Sequence, residues 1–341
     1  MGVVSSFYGQ MMYPLEISEI KRDYDAGLSS FHRSPLGGEM VVGLELPRVD
    51  LSEERWVVAK QIVKASEEYG FFKVVKHGVP EHTIAAMEEE AAAFFAKPVA
   101  QKKAVAGYGS NTIGFCGDVG CLDYLLLNAS PSSSSISQLN PSKFRSTVSE
   151  YVGAVRELAC EILELMAEGL GVPDTLAFSS FLRHHDSDSL LRFNHYPPLL
   201  LKDINVAFGE HSDPQILTLL RSNDVAGLQI SLPDGLWFPV SPDPSAFFVN
   251  VGDALQVMTN GRFVSVRHRA MTNSDKSRMS MAFFGAPPLN ACIAALPEMV
   301  TTQRPSLYRP FTWAEYKQAA YSLRLGDHRI HLFRMCTQVD Q

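Results

Sequence analysis

Apolar positions recur along the chain with two different periods, and the change of period divides it. Up to about residue 170 the spacing is three and four. Val57, Val58, Ile62 and Val63 predict a helix over 52–69, with Ser52 as its N-cap and Gly70 closing it. A second helix is predicted over 81–96, stopped ahead of Pro98, with the run Phe71-Phe72-Lys73-Val74-Val75 as a strand between the two. Val148, Val152, Val155, Leu158, Ala159, Ile162, Leu165 and Met166 predict a long core-packing helix over 143–169. From Leu190 the period falls towards two. Short β-favouring runs follow at 191–196, 215–220, 227–232, 236–240, 247–251, 254–258, 263–270 and 278–284, separated by Pro197-Pro198, Pro233-Asp234-Gly235 and Asn260-Gly261. About eight strands without intervening helices predict a jelly roll. The fold class is therefore α+β, a double-stranded β-helix core flanked by N-terminal helices and by a C-terminal helix starting near Thr312.

Four segments follow from this pattern: a loosely ordered leader over 1–43, a helical and mixed region over 44–170, the jelly-roll core over 171–300, and a helix and tail over 301–341. The last three are expected to pack as one unit. The glycine-rich stretch 107–120 reads as an irregular loop, and 128–141, with Ser132 to Ser135 in succession, as a mobile surface loop.

Composition narrows the classes. With 46% hydrophobic and 20% charged residues the 341-residue chain is an ordinary globular one. A net charge of −7 without a long basic run argues against nucleic acid or an anionic membrane as partner. No 18-residue apolar stretch is present, so no membrane-spanning helix is expected. Five widely spaced cysteines (Cys116, Cys121, Cys160, Cys292, Cys336) form no CxxC pair and suit a reducing compartment, the cytoplasm or also the nucleus. The opening Met1-Gly2-Val3-Val4-Ser5-Ser6 fits the loose pattern for myristoylation at Gly2, which by itself anchors only marginally. No motif speaks to the oligomeric state.

Candidate chemistry gathers around Gly209-Glu210-His211-Ser212-Asp213-Pro214. His211 and Asp213, two apart beside an apolar run, are expected on one face of extended backbone. His268, in the strand-like run Phe263 to Arg269, supplies a third donor. Two histidines and one carboxylate leave three positions of an octahedral Fe(II) open, which oxygen chemistry requires. His184-His185-Asp186 repeats the His-x-Asp spacing, but in a polar loop where nothing is expected to hold the side chains together. Arg278 and Ser280 share a strand face and offer a guanidinium fork and a hydroxyl to a carboxylate; Asn194 and Tyr196 share a face on an earlier strand, with Tyr196 as a further donor. Together these describe a pocket for a dicarboxylate whose other end binds the metal.

In this order, Asn194-x-Tyr196-Pro197-Pro198, His211-x-Asp213, His268 and Arg278-x-Ser280 resemble the motifs of the plant 2-oxoglutarate- and Fe(II)-dependent dioxygenases, over about Pro47 to Arg329. Within them the chain is most similar to the gibberellin 2-oxidases, through Tyr69 to Val75, Leu220-Arg221-Ser222-Asn223, Ser265 to Arg269 and Arg324-Leu325-Gly326-Asp327. The resemblance implies Fe(II) on His211, Asp213 and His268, and 2-oxoglutarate held by Arg278, Ser280 and Tyr196 beside Asn194. It further implies dioxygen as oxidant, ascorbate as a stimulant, and 2β-hydroxylation of a gibberellin, which inactivates the hormone. Gibberellins carry a carboxylate on a rigid apolar skeleton, and Arg221, Lys73 and Arg324 are the candidate cations for it. Three positions depart from the pattern: no basic residue stands near Asn111 or Thr112, Cys121 replaces a tryptophan, and Lys76 replaces an asparagine. Two alternatives stay open. One is the same chemistry on another gibberellin position or on a metabolite such as a flavonoid; the other is a non-catalytic jelly-roll binding module.

Overall fold

The computed structural model describes residues 45–113, 118–198, 206–232 and 235–335. The predicted leader, the Gly2 pattern and residues 336–341 lie outside them. In chain order the first half carries β1 (Arg48–Asp50), α1 (Arg55–Glu68), β2 (Phe71–Val75), α2 (Glu81–Phe95), α3 (Val99–Lys103), β3 (Tyr108–Ile113), β4 (Asp118–Asn128), α4 (Ser142–Leu170) and α5 (Ser180–Arg183). The second half carries β5 (Leu190–Tyr196), β6 (Val206–His211), β7 (Leu217–Ser222), β8 (Leu228–Ser231), β9 (Trp237–Pro239) and β10 (Phe247–Val251). Then follow α6 (Asp253–Met258), β11 (Arg267–Met271), β12 (Arg278–Gly285), β13 (Cys292–Ile293), β14 (Phe311–Thr312) and α7 (Trp313–Ser322).

The three- and four-residue stripe of α4 is buried as its spacing requires, from Phe144 and Val148 through Val155 and Ile162 to Met166. Each such side chain removed from water contributes roughly 1.5–3 kcal/mol, so packing rather than propensity fixes this helix. It lies with α1 and α2 against one face of an eight-stranded sheet ordered β1-β2-β10-β7-β12-β5-β4-β3. A four-stranded sheet, β6-β11-β8-β9, covers part of the other face. Period-two alternation sorts the central strands. Leu191 and Phe193, Leu217 and Leu219, and Met281 and Phe283 join the helix-side core, while Arg192, Asn194, Tyr196, Thr218, Leu220, Arg278, Ser280 and Ala282 line the space between the sheets.

Four expectations need correction. Ser52 does not cap α1, because its amide and hydroxyl both bond Asp50 Oδ1 (3.0 and 2.6 Å) and close a tight turn instead. The stretch 107–120 is not wholly irregular: β3 and β4 pair antiparallel and extend the large sheet past β5, so strand pairing overrides a poor local propensity. The run 254–258 is the helix α6, since a short apolar segment buried on all sides has no period to read. β6 carries His211 and was not anticipated, while only Arg267–Met271 of the 263–270 run is strand. Part of the serine-rich stretch forms a 3-10 turn, Ile136–Gln138. Thr312 does start the last helix, its hydroxyl accepting from Glu315 N (3.2 Å).

Just past β2, His77 is buried with its ring edge-on to Phe247, and its Nδ1 accepts a hydrogen bond from Val79 N (3.2 Å). Burial, then the charge of Arg221, holds this imidazole below the usual histidine range. Its folded pKa is depressed, so it destabilises the fold progressively as pH falls from the unfolded value of 6.5 towards the folded one. We expect Tm to drop across that window, and His77→Gln, which stays neutral, to flatten the drop in thermal melts at stepped pH.

Candidate active site

β6 ends at His211, and antiparallel pairing places His268 of β11 directly across from it. Asp213 sits in the turn between β6 and β7 rather than on a strand, so the common face expected from alternation is instead supplied by the turn. That turn is held from below. Asp213 O accepts from Asp253 N (2.7 Å), and Gly252 is pressed against Gln215 O so closely that any Cβ there would collide with backbone. Ser212 Oγ and Tyr316 Oη both donate to Asp253 Oδ2 (3.1 and 2.6 Å), and Arg329 Nη2 donates to Ser212 O (3.2 Å). The C-terminal segment thereby braces the turn, and burial pushes the Asp253 carboxyl above its usual range.

Asp213 is 3% exposed, and its two oxygens have separate tasks. Oδ2 accepts from Thr218 Oγ1 (2.7 Å) and Asn250 Nδ2 (2.9 Å). Oδ1 faces His211 Nε2 at 3.8 Å and His268 Nε2 at 3.6 Å, beyond hydrogen-bond reach. His211 Nδ1–H donates to Gly209 O (2.8 Å), which leaves its Nε2 lone pair for the centre, while His268 Nδ1 lies 3.3 Å from Val266 O and 3.4 Å from Asn250 Nδ2. Burial, then the neighbouring His268, holds His211 well below the ordinary histidine range, so it is neutral. Two imidazole nitrogens and a carboxylate oxygen within 4.8 Å of one another fit a divalent cation.

The cleft between the sheets opens onto these ligands. On its far wall β12 and β5 set Arg278 opposite Tyr196 and Ser280 opposite Asn194. Arg278 is 3% exposed, its guanidinium lies 5.1 Å from the Tyr196 ring, and its Nε has no partner. Burial draws its pKa below the ordinary arginine value, against the opposing charge and hydrogen bond of Tyr196. An enclosed guanidinium without a counter-ion is a site for an anion. Asn194 Nδ2 donates to Ser280 Oγ (3.4 Å), which ties the two halves of this wall.

The three cations expected for the substrate carboxylate do not line the cleft. Arg221 falls on the helix side of β7 and pairs with Glu88 (2.8 Å), Lys73 pairs with Asp243 (3.0 Å), and Arg324 is exposed. Arg192 does line it and went unnoticed in the sequence, although it stands two residues before Asn194 and so on the same face of β5. His184, His185 and Asp186 also cluster, contrary to expectation, with His185 Nε2 and Asp186 Oδ2 2.9 Å apart, but all three are exposed to water.

Residues 187–287 match the 2OG-Fe(II) oxygenase superfamily, and residues 46–120 match the family described as non-haem dioxygenase in morphine synthesis N-terminal. The backbone resembles the crystal structure of JOX2 in complex with 2OG, Fe and JA, with TM-score 0.74, 29% identity, 91% of this chain and 97% of that one covered. It likewise resembles the dioxygenase for auxin oxidation in rice, with TM-score 0.74, 26% identity and 85% and 100% coverage. Fold and site thus define an Fe(II)- and 2-oxoglutarate-dependent dioxygenase. Gibberellin 2-beta-dioxygenase 4 of Arabidopsis thaliana is 52% identical over 321 residues, covering 88% of this chain and 98% of that protein. Gibberellin 2-beta-dioxygenase 2 of Oryza sativa subsp. japonica is 47% identical over 322 residues, covering 85% and 87%. The chain belongs to the gibberellin 2-beta-dioxygenase family.

Proposed function

We propose that this enzyme hydroxylates gibberellins at the 2β position, with Fe(II) held by His211, Asp213 and His268. Arg278, Ser280 and Tyr196 hold the far carboxylate of 2-oxoglutarate, and Asn194 sets the spacing of that wall. The observation that carries this reading is the two-histidine, one-carboxylate donor set facing a buried guanidinium with no carboxylate partner across one cleft. Bound Fe(II) with 2-oxoglutarate and dioxygen supplies the oxidising power: one oxygen atom enters a C–H bond of the substrate, and the co-substrate leaves as succinate and carbon dioxide.

The protein's own part is positioning and exclusion of water. Thr218 and Asn250 fix Asp213 so that one oxygen alone faces the centre. Arg278 and Ser280 orient the co-substrate from the opposite wall. Phe208, Leu220, Leu228, Ala270, Ala282 and Phe284 give an apolar lining suited to a rigid hydrocarbon skeleton. No helix among the described residues is long and apolar enough to cross a membrane. The widely spaced cysteines and the net charge of −7 support an enzyme of the cytoplasm or nucleus without a nucleic-acid partner.

Purified protein given Fe(II), 2-oxoglutarate and a nineteen-carbon gibberellin is expected to form succinate and a 2-hydroxylated product in equal amounts. Product hydroxylated elsewhere would replace the position, and succinate formed at the same rate with or without gibberellin would replace the substrate.

A further inference from the structure

Arg192 is one of three arginines that line the cleft, beside Arg278 and Arg269, and it touches the co-substrate wall only through Asn194. Its guanidinium lies 4.3 Å from the ring centroid of Tyr124 and 4.9 Å from that of Phe208, so aromatic rings pack on its flat faces. Its Nε donates to Asn194 Oδ1 (2.7 Å), which fixes the plane. Its Nη2 is shielded from solvent and has no hydrogen-bond partner, and no carboxylate among the described residues lies within ion-pair distance. A planar donor fork held by rings and one hydrogen bond, with its outer edge unsatisfied, is preorganised for a carboxylate.

Position and charge say which carboxylate. Phe208 touches both Arg192 and the His211 imidazole, whose ring centroid is 4.6 Å from its own. A group on Arg192 therefore lies one aromatic ring from the metal ligands, on the side of β4 and β6 rather than of Arg278. The formal charges agree. The two positive charges of Fe(II), the single negative charge of Asp213 and the two of 2-oxoglutarate leave one negative charge, which Arg278 cancels. Arg192 and Arg269 then remain; Arg269 bonds Gln229 Oε1 (2.8 Å) and lies over Trp237, whereas Arg192 keeps an unpartnered nitrogen in a desolvated cleft, matching a substrate that brings a carboxylate. The apolar cluster of Leu122, Phe208 and Ala270, with Tyr124 and Leu325 packed on it, borders the same corner and suits the attached skeleton.

We propose that Arg192 binds the gibberellin carboxylate and thereby sets which carbon is turned towards the metal centre, an inference that rests on the gibberellin reading above. Arg192 is then a binding and specificity residue, distinct from the co-substrate clamp.

The test is equilibrium binding to the enzyme loaded with Fe(II) and 2-oxoglutarate without oxygen, comparing a gibberellin with its methyl ester. Wild type should prefer the free acid, and Arg192→Met should weaken the acid by roughly ten- to a hundredfold. Ester binding and 2-oxoglutarate affinity should stay within about twofold of wild type. Arg192→Lys should recover part of the affinity and give a mixture of hydroxylated products, because a point charge cannot copy the fork. Equal loss of acid and ester, or loss of 2-oxoglutarate affinity alone, would overturn the assignment. So would a wild-type enzyme that binds acid and ester alike, a comparison needing no variant. A wild type that binds neither form overturns the gibberellin reading and the assignment with it, whereas normal gibberellin turnover by Arg192→Met with an unchanged KM overturns the assignment alone.

Discussion

Asp213→Asn is expected to fold as wild type does and to lose turnover and Fe(II) binding together. The substitution keeps shape and volume, so the surrounding β7 and β10 need not move. It fails electrostatically. In the wild type, Oδ2 accepts from Thr218 and Asn250 while Oδ1 faces the two imidazoles. An amide has one acceptor oxygen. If that oxygen stays with Thr218 and Asn250, the NH2 group presents hydrogens where the cation belongs. If it turns round, two buried donors face an NH2 group and lose their acceptor, a penalty of about 1–3 kcal/mol each. Either way the centre loses its one negative charge. The supporting residues give the scale. Asn250→Ala or Thr218→Val frees Asp213 without removing it, and such outer partners typically cost about 10–100-fold in metal affinity, which excess Fe(II) can offset. Asp213→Asn should exceed that range and resist added metal. Iron content after gel filtration and coupled product formation measure the loss, and circular-dichroism melts of the metal-free protein check the fold. Residual turnover restored by millimolar Fe(II) would remove Asp213 from the centre.

How far such side chains can be read from sequence depends on what positions them. The order and spacing of His211, Asp213, His268, Arg278 and Ser280 point to one site because a metal and a dicarboxylate would demand such donors, and the structure brings all five to one cleft. Strand alternation accounts for only half of the His-x-Asp pair. Alternation along a strand does not apply at Asp213, whose place depends on the Asp253 amide and the close approach of Gly252, both some forty residues on. Where alternation does apply it sorts the arginines of the central strands. Arg192 follows from the parity of Asn194 and Tyr196 on β5, and the same parity on β7 puts Arg221 on the helix side with Leu217 and Leu219, against Glu88. The departures near β4 and at Lys76 are different in kind. Lys76 adopts φ 53°, a left-handed conformation that asparagine tolerates better, so its signal is backbone geometry and not chemistry. The helix α6 and the paired strands β3 and β4 escaped because burial on all sides, or pairing with distant β5, decides them.

Arg278 gives the second large effect, and its sign differs between the empty and the loaded protein. With no anion bound, this guanidinium is a buried charge whose depressed pKa reflects the cost of its burial. Arg278→Met removes that cost while nearly filling the space beside Gly227, where the arginine stem packs. The metal-free, ligand-free variant should therefore melt higher than wild type, by roughly 2 °C for each kcal/mol recovered. Addition of 2-oxoglutarate reverses the order. A hydrogen bond to a charged group contributes about 1.5–3 kcal/mol, so the co-substrate requirement should rise about ten- to a hundredfold. Ligand at a hundred times Kd stabilises wild type by about 2.7 kcal/mol, and the same concentration stabilises a variant with hundredfold weaker binding by about 0.4 kcal/mol. Arg278→Lys should fall between, since it keeps the charge but offers no bidentate fork. Thermal shift with and without 2-oxoglutarate, read beside the KM for the co-substrate, separates the two contributions. A variant that melts lower than wild type when empty, yet binds 2-oxoglutarate normally, would mean that Arg278 braces the sheet and that the carboxylate is held elsewhere.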